Sequence, residues 1–210
     1  MPFDSQQLET SLSKLKNYFV SHGQKQFFKR GDYLYHQNTF PDSLFYLQNG
    51  IVGLLSTHIS GRDRLVRLFK ASSFLSHRAI LAEEPYHASA KVLEESTLLK
   101  ISKQDFERIL SEDLATARAF CKILAVDLGR AENTITQSND SSVKTRVAES
   151  LVYLLEEFPS HLWTKQEIAD FVGTATPTVF RALAEFESKG LIATQRREIS
   201  ELKRESLLKI

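Results

Sequence analysis

The stretch from Thr164 to Ile192 constrains this chain more than any other, because it starts two helices so close together that they must pack on each other. Thr164 and Glu167 have the spacing in which a threonine side chain accepts from the third helical amide while the glutamate reaches back, so a helix begins at about Lys165. Ile168, Ala169 and Val172 give it an apolar face, and Gly173 ends it, glycine being the residue that turns left-handed without steric cost. A second start follows at once, with Thr176 as N-cap and Pro177 at the first helical position. Val179, Ala182, Leu183 and Phe186 then recur at helical spacing up to Gly190, just before Leu191-Ile192.

Helices joined this tightly cross steeply, with Ala169 as the small residue at the crossing, and one face of the second helix stays unburied. With Val179 and Leu183 inside, Thr176, Pro177, Thr178, Phe180 and Arg181 point outward at the end of a helix that reaches base edges in a major groove. A plain packed hairpin gives the same spacing, so the rest of the chain has to separate the two readings.

A length of 210 residues suits one large or two small domains, and 42% hydrophobic content is enough for real cores. The net charge of +1 gives no overall attraction to nucleic acid, but it averages over faces, and local clustering is what matters. No signal-peptide pattern and no apolar run of membrane-spanning length is present, so a cytoplasmic protein without a membrane partner is expected. The single cysteine, Cys121, excludes internal disulfides and cysteine-ligated clusters within one subunit.

Leu8, Leu12, Leu15 and Phe19 predict an opening amphipathic helix. From Phe27 to Ile101 the texture becomes short apolar runs: Tyr33 to Tyr35, Leu44 to Leu47, Ile51 to Leu55, Leu65 to Phe69 and Leu98 to Ile101. Turn signals separate them at Gly31-Asp32, Pro41-Asp42, Asn49-Gly50, Ser60-Gly61 and Glu84-Pro85. Such spacing predicts an antiparallel β-roll, either a container for a small molecule or a purely structural unit.

Ser102 and Asp105 start a further helix through Phe106, Ile109 and Leu110. Beyond it Leu114, Ala117, Cys121, Leu124, Leu128, Ala131 and Ile135 follow a strict three-four alternation, the seam of a parallel two-helix dimer. Phe120 and Ile123 form a second apolar flank that can pack on the chain's own domain, and Cys121 is expected as a small buried hydrophobe on the seam. The polar run Gln137 to Ser142 reads as a hinge, and Val143, Val147, Leu151, Leu154 and Leu155 lead into the two-helix motif. The expected fold is therefore α+β: an N-terminal antiparallel β-roll domain over 1–110, a dimerisation helix over 111–138 and a C-terminal winged helix-turn-helix domain over 139–210.

Helix, roll, seam helix, hinge and helix-turn-helix in this order resemble the regulators of the cyclic-AMP receptor and fumarate-nitrate regulator (CRP/FNR) family. The residues that carry the resemblance are Gly31 to Gln37, Leu44 to Gly50, Ser89-Ala90, Thr164 to Ala169 with Val172-Gly173, Thr178 to Arg181, and Gly190 to Ile192. The resemblance implies a homodimeric transcription regulator with a cyclic-nucleotide-binding-like roll, a double-stranded DNA operator and RNA polymerase as partners, and no catalytic activity. Arg181 matches the family's arginine and is expected on guanine O6 and N7, while Pro177 stands where many members have glutamate. Phe180 is expected on a thymine methyl, and Thr164, Lys165, Gln166, Arg196 and Arg197 on phosphates.

The roll departs from the family further. Cyclic-AMP-binding members place a glutamate on the ribose and an arginine on the cyclic phosphate, but the corresponding positions hold His77 and Ala88. Arg78, His87, Ser89 and His77 itself are left as candidate effector contacts, without a charge-assisted pair for a cyclic phosphate. The effector is expected to be a small molecule other than cyclic AMP, or absent. Haem at His77, as in carbon-monoxide-sensing members, is the alternative within the family, though a lone histidine predicts neither metal nor cofactor. A cupin-like enzyme is the alternative outside it, but the six histidines show no pair one residue apart with a nearby carboxylate.

Overall fold

The computed structural model describes residues 12–57, 63–140, 142–195 and 198–210. The chain divides into two compact units, residues 1–54 with 68–133 and residues 55–67 with 134–210.

Among the described residues the elements begin with helix α1 (Ser13–His22), followed by β1 (Gln24–Phe28), β2 (Tyr33–Tyr35), β3 (Ser43–Thr57), β4 (Asp63–Phe69), β5 (Ser73–Leu75), α2 (His77–Ala82) and β6 (Ser89–Ser102). Helices α3 (Lys103–Glu112) and α4 (Leu114–Asp140) follow. The sheet has the order β1-β6-β3-β4, with β2 also on β6 and β5 on β3. The registers of β1 and β2 on β6 and of β5 on β3 are antiparallel. Alternation along a strand sends neighbours to opposite faces, and here it builds two cores from the same strands. Phe45, Leu75 and Leu98 fill the roll, whereas their neighbours Leu44, Phe74 and Leu99 meet Leu15, Phe19, Phe106 and Phe120 from α1, α3 and α4. Of the opening helix's apolar residues, Leu12, Leu15 and Phe19 are buried, and Leu8 lies outside the described residues.

The expected turn at Asn49-Gly50 does not exist: β3 runs unbroken from Ser43 to Thr57. Gly50 has φ +92°, and a β-carbon there would stand 2.1 Å from Ser96 Oγ and 2.6 Å from the Glu95 carbonyl. Asn49 Oδ1 accepts from the Thr97 amide at 2.7 Å. The dipeptide that signals a hairpin thus marks a close crossing against β6, which again only glycine allows. Gly31-Asp32 is a real turn, with Lys29 N donating to Asp32 Oδ2 and Gly31 N to the Val92 carbonyl. Ser60-Gly61 lies outside the described residues.

Ser102 caps α3 by accepting from the Asp105 amide at 3.0 Å. Helix α4 buries Thr116, Ala119 and Phe120 against its own unit, with Ile123 partly covered. The polar run read as a hinge is helical through Asp140, and Ser142, extended at φ −60° and ψ 153°, is already the N-cap of the next helix, so one helix ends and the next is capped within that run.

In the second unit Ser142 caps α5 (Val143–Glu157), and α6 (Lys165–Val172), α7 (Thr176–Ser188), strands β7 (Ile192–Gln195) and β8 (Glu198–Leu202), and α8 (Arg204–Leu207) follow. β7 and β8 form an antiparallel ribbon directly after α7, the wing of the motif. Val147, Leu151, Leu154, Ile168, Val179 and Phe186 are buried in this unit.

Candidate nucleic-acid interface

Helix α6 begins as its spacing requires. Thr164 Oγ1 accepts from the Glu167 amide at 3.1 Å, and Glu167 Oε2 accepts from the Thr164 amide at 2.9 Å. Behind this cap lies a support that the sequence reading missed. His161 is buried with Nε2 3.6 Å from Glu167 Oε2, its ring lies edge-on to Trp163, and Trp163 donates from Nε1 to the Leu154 carbonyl. An aromatic residue immediately before an N-cap is the signal that points to such a support.

Gly173 closes α6 at φ +73°, its amide donating to the Ala169 carbonyl at 2.9 Å, and Ala169 itself is fully buried at the crossing. One expectation is corrected here. Thr176 is not the N-cap of α7; that position belongs to Ala175, and Thr176 lies within the first turn beside Pro177. The Thr176 hydroxyl is used elsewhere, donating to Gln166 Oε1 at 2.7 Å, while Gln166 Nε2 donates to Asp170 Oδ1 at 2.7 Å. Two expected DNA contacts thus tie α6 to α7. With its hydroxyl engaged across the helices, Thr176 leaves the cap position to the residue before it.

Val179, Ala182, Leu183 and Phe186 are buried, as the helical spacing predicts. Pro177, Phe180 and Arg181 face outward, and Thr178 is half-buried beneath them. Arg181 Nη2 donates to Thr178 Oγ1 at 3.3 Å, a weak tether that leaves most of the guanidinium's donors free. Lys165 reaches across from α6 to set its Nζ 3.5 Å from the centroid of the Phe180 ring. Farther along α7, Glu185 accepts from Lys144 of α5 and from Lys189 just past the end of α7, and these bonds hold its carboxyl below the usual carboxylate range. Arg196 and Arg197, expected on phosphates, lie outside the described residues.

On α4 the expected seam divides cleanly from the packed face. Leu114 is 71% and Leu128 61% exposed, and Cys121 and Ala131 are exposed as well. Ala117 and Leu124 are half-buried, and of Ile135 only the helical backbone is described. Cys121 is therefore not buried within its own chain, because Ala119 and Phe120 take the inner face.

The four candidate effector residues in the roll are placed differently from one another. His77 is buried at the start of α2, its ring 5.4 Å from that of Phe120. Arg78 is on the surface and pairs with Glu84 at 3.4 Å, and His87 is exposed. Ser89 Oγ accepts from the Gln37 amide at 2.9 Å, joining β6 to the end of β2. Next to them the Ser76 and Tyr86 hydroxyls share a buried hydrogen bond, and Tyr86 stacks on Tyr35 at 3.6 Å. Burial pushes the Tyr86 phenol up to about 12 against the opposing pull of that bond. An open depression of about 250 Å³ is walled by Tyr35, Phe40, Phe45, Tyr86 and Lys100, and none of the four lines it. A cyclic phosphate removed from water needs a cation with several hydrogen bonds. Ala88 is a buried methyl in the roll core, and Arg78 pairs with Glu84 on the surface. Among the described residues no group of three or more His, Cys, Asp or Glu is placed to hold a metal, and no helix is long and apolar enough to cross a membrane.

Comparison with known proteins agrees with this architecture. Residues 25–113 match the cyclic nucleotide-binding domain model, and residues 145–210 match the Crp-like helix-turn-helix domain model. The cyclic AMP receptor protein of Thermus thermophilus is 25% identical over 175 residues, spanning 82% of this chain and 81% of that protein. The anaerobic regulatory protein of Bacillus subtilis is 24% identical over 202 residues, 91% of this chain and 84% of that one. Among solved structures, the c-di-GMP responsive global regulator CLP of Xanthomonas campestris superposes with a TM-score of 0.79 at 16% identity, covering 90% of this chain and 99% of that one. A nucleotide-binding-type roll, followed by a long helix and a capped helix-turn-helix with its wing, and matched in that order by both domain models, makes this chain a member of the CRP/FNR family of transcription regulators.

Proposed function

We propose that the protein is a homodimeric, sequence-specific regulator of transcription that binds its operator without cyclic AMP. The observation that carries DNA reading is the division of labour on α7, where Val179, Ala182, Leu183 and Phe186 are used in packing while Phe180 and Arg181 stand outward at the end that enters a major groove. Leu114, Cys121, Leu128 and Ala131, exposed along α4 opposite its packed face, support a parallel dimer seam. Two reading helices then address half-sites about 34 Å apart, and RNA polymerase is the partner through which binding acts. The protein works in the cytoplasm as a binder and carries out no catalysis. The roll, the α4 seam and the winged motif serve as effector, dimerisation and DNA-binding regions, and any effector is a small molecule other than cyclic AMP.

Selection from a random double-stranded pool should return a two-fold symmetric sequence, with the same affinity in the presence or absence of cyclic AMP or cyclic GMP. A micromolar isotherm with either nucleotide would refute the effector reading and leave the DNA reading intact. Leu128→Glu buries an unpaired charge at the seam and should yield monomers by sedimentation, with operator affinity falling in parallel. A dimer that survives this change would place the subunit contact elsewhere.

A further inference from the structure

Phe180 has no hydrogen-bonding group, yet it occupies one of the most outward positions of α7, 49% exposed and next to Arg181. Phe180 is not part of the buried face of the helix, which Val179 and Leu183 fill. In a major groove the apolar feature that distinguishes one base edge from another is the C5-methyl of thymine. Lys165, the first residue of α6, holds its ammonium 3.5 Å from the ring centroid and makes no ion pair among the described residues. Its charge is oriented by the ring and not neutralised by a carboxylate, which leaves it available to a phosphate. The neighbouring hydroxyl and amide, Thr176 and Gln166, are bound to each other and to Asp170.

On the reading that α7 binds DNA, we infer that Phe180 and Lys165 form one composite reader of thymine, the ring taking the C5-methyl and the ammonium the adjoining phosphate. Thr176 and Gln166 are then positioning residues that fix α6 against α7. Guanine readout by Arg181 and thymine readout by Phe180 come from adjacent residues, so the two bases lie close together in each half-site.

The test uses the operator selected by the full-length protein, resynthesised with deoxyuridine in place of one thymine at a time, which deletes a methyl and nothing else. At one thymine per half-site the substitution should weaken wild-type binding about fourfold, the worth of one buried methyl-sized group. Phe180→Ala should bind thymine and uracil equally at that position. Lys165→Ala should keep the preference for thymine but lower the salt dependence by about one phosphate per half-site. Thr176→Val should select the same sequence as wild type. Uracil tolerated at every position, or discrimination retained by Phe180→Ala, would overturn the inference while specific binding upholds the regulator reading. An unchanged salt slope in Lys165→Ala would remove the ammonium from the reader. Failure to select any sequence would overturn both readings together.

Discussion

The helix-turn-helix and the roll solve opposite problems with similar residues. In the first, polar groups near the working surface act over short spans of sequence: Thr164 on Glu167, Thr178 under Arg181, Gln166 between Asp170 and Thr176. They shape the backbone and leave Phe180 and Arg181 facing solvent. In the roll polar groups also turn on one another across long spans, as Ser89 does with Gln37 and Asn49 with Thr97. Of the candidate effector residues, Ser89 is thereby engaged in joining a strand to a loop. One scaffold leaves side chains facing solvent, while the other buries His77 and the methyl group of Ala88. Shared architecture therefore fixes where a site would lie without fixing what it binds.

The contrast can be broken most strongly from the roll side. Phe120 is fully buried and its ring touches those of Phe74, His77 and Phe106. Phe120→Ala should lower the stability of that unit by about 3–5 kcal/mol, the range for deleting a packed aromatic side chain. Urea unfolding followed by circular dichroism measures it, and a loss below about 1 kcal/mol would mean that α4 is not anchored there. Gly50→Ala comes next, at about 2–4 kcal/mol, since it combines a positive φ with a clash against the β6 backbone. Asn49-Gly50 as an ordinary hairpin turn would tolerate the same change far better.

On the other side the effects are local and smaller. Thr164→Ala removes the cap of α6 and should cost about 1 kcal/mol. Thr164→Ser should restore most of it, and chemical denaturation of both variants checks the pair. The smallest effect sharpens the comparison through pH. The Ser102 hydroxyl, helped by the Tyr18 hydroxyl and the Arg108 guanidinium, holds the Asp105 carboxyl below the usual carboxylate range. A folded value below the unfolded one contributes stability that is present above the unfolded value near 4 and is lost as pH falls through the folded value. Asp105→Asn should therefore destabilise slightly at neutral pH, and its difference from wild type should shrink on acidification. A constant difference from pH 7 to pH 2 would assign the effect to packing instead.

What could be read from the residues divides along the same line. The T-x-x-E spacing, Gly173 and the period of Val179, Ala182, Leu183 and Phe186 describe interactions within a few residues of one another, so they hold in any tertiary setting. Even there the cap of α7 was misplaced by one residue, because the Thr176 hydroxyl has a partner ten residues away that outcompetes its own backbone. In the roll the apolar runs were legible as strands. Asn49-Gly50 was not legible as a crossing, since its meaning depends on Ser96, nearly fifty residues later. Trp163 carries a local signal, its place immediately before an N-cap, whereas Tyr86 has no signature strong enough to separate it from ordinary core aromatics.

The order of elements, the apolar faces of the helices, and the residue types available at the reading surface and in the roll can be read from the residues alone, because propensity, capping and periodicity are local properties of a chain. Only the tertiary structure decided which of those side chains remain available. Packing α4 by Phe120 frees Leu114 and Leu128, the bridge through Gln166 withdraws Thr176, and the cation held over its ring makes Phe180 more than an exposed hydrophobe. Availability is what remains after every neighbour has taken its contacts, and neighbours distant in sequence meet only in the fold.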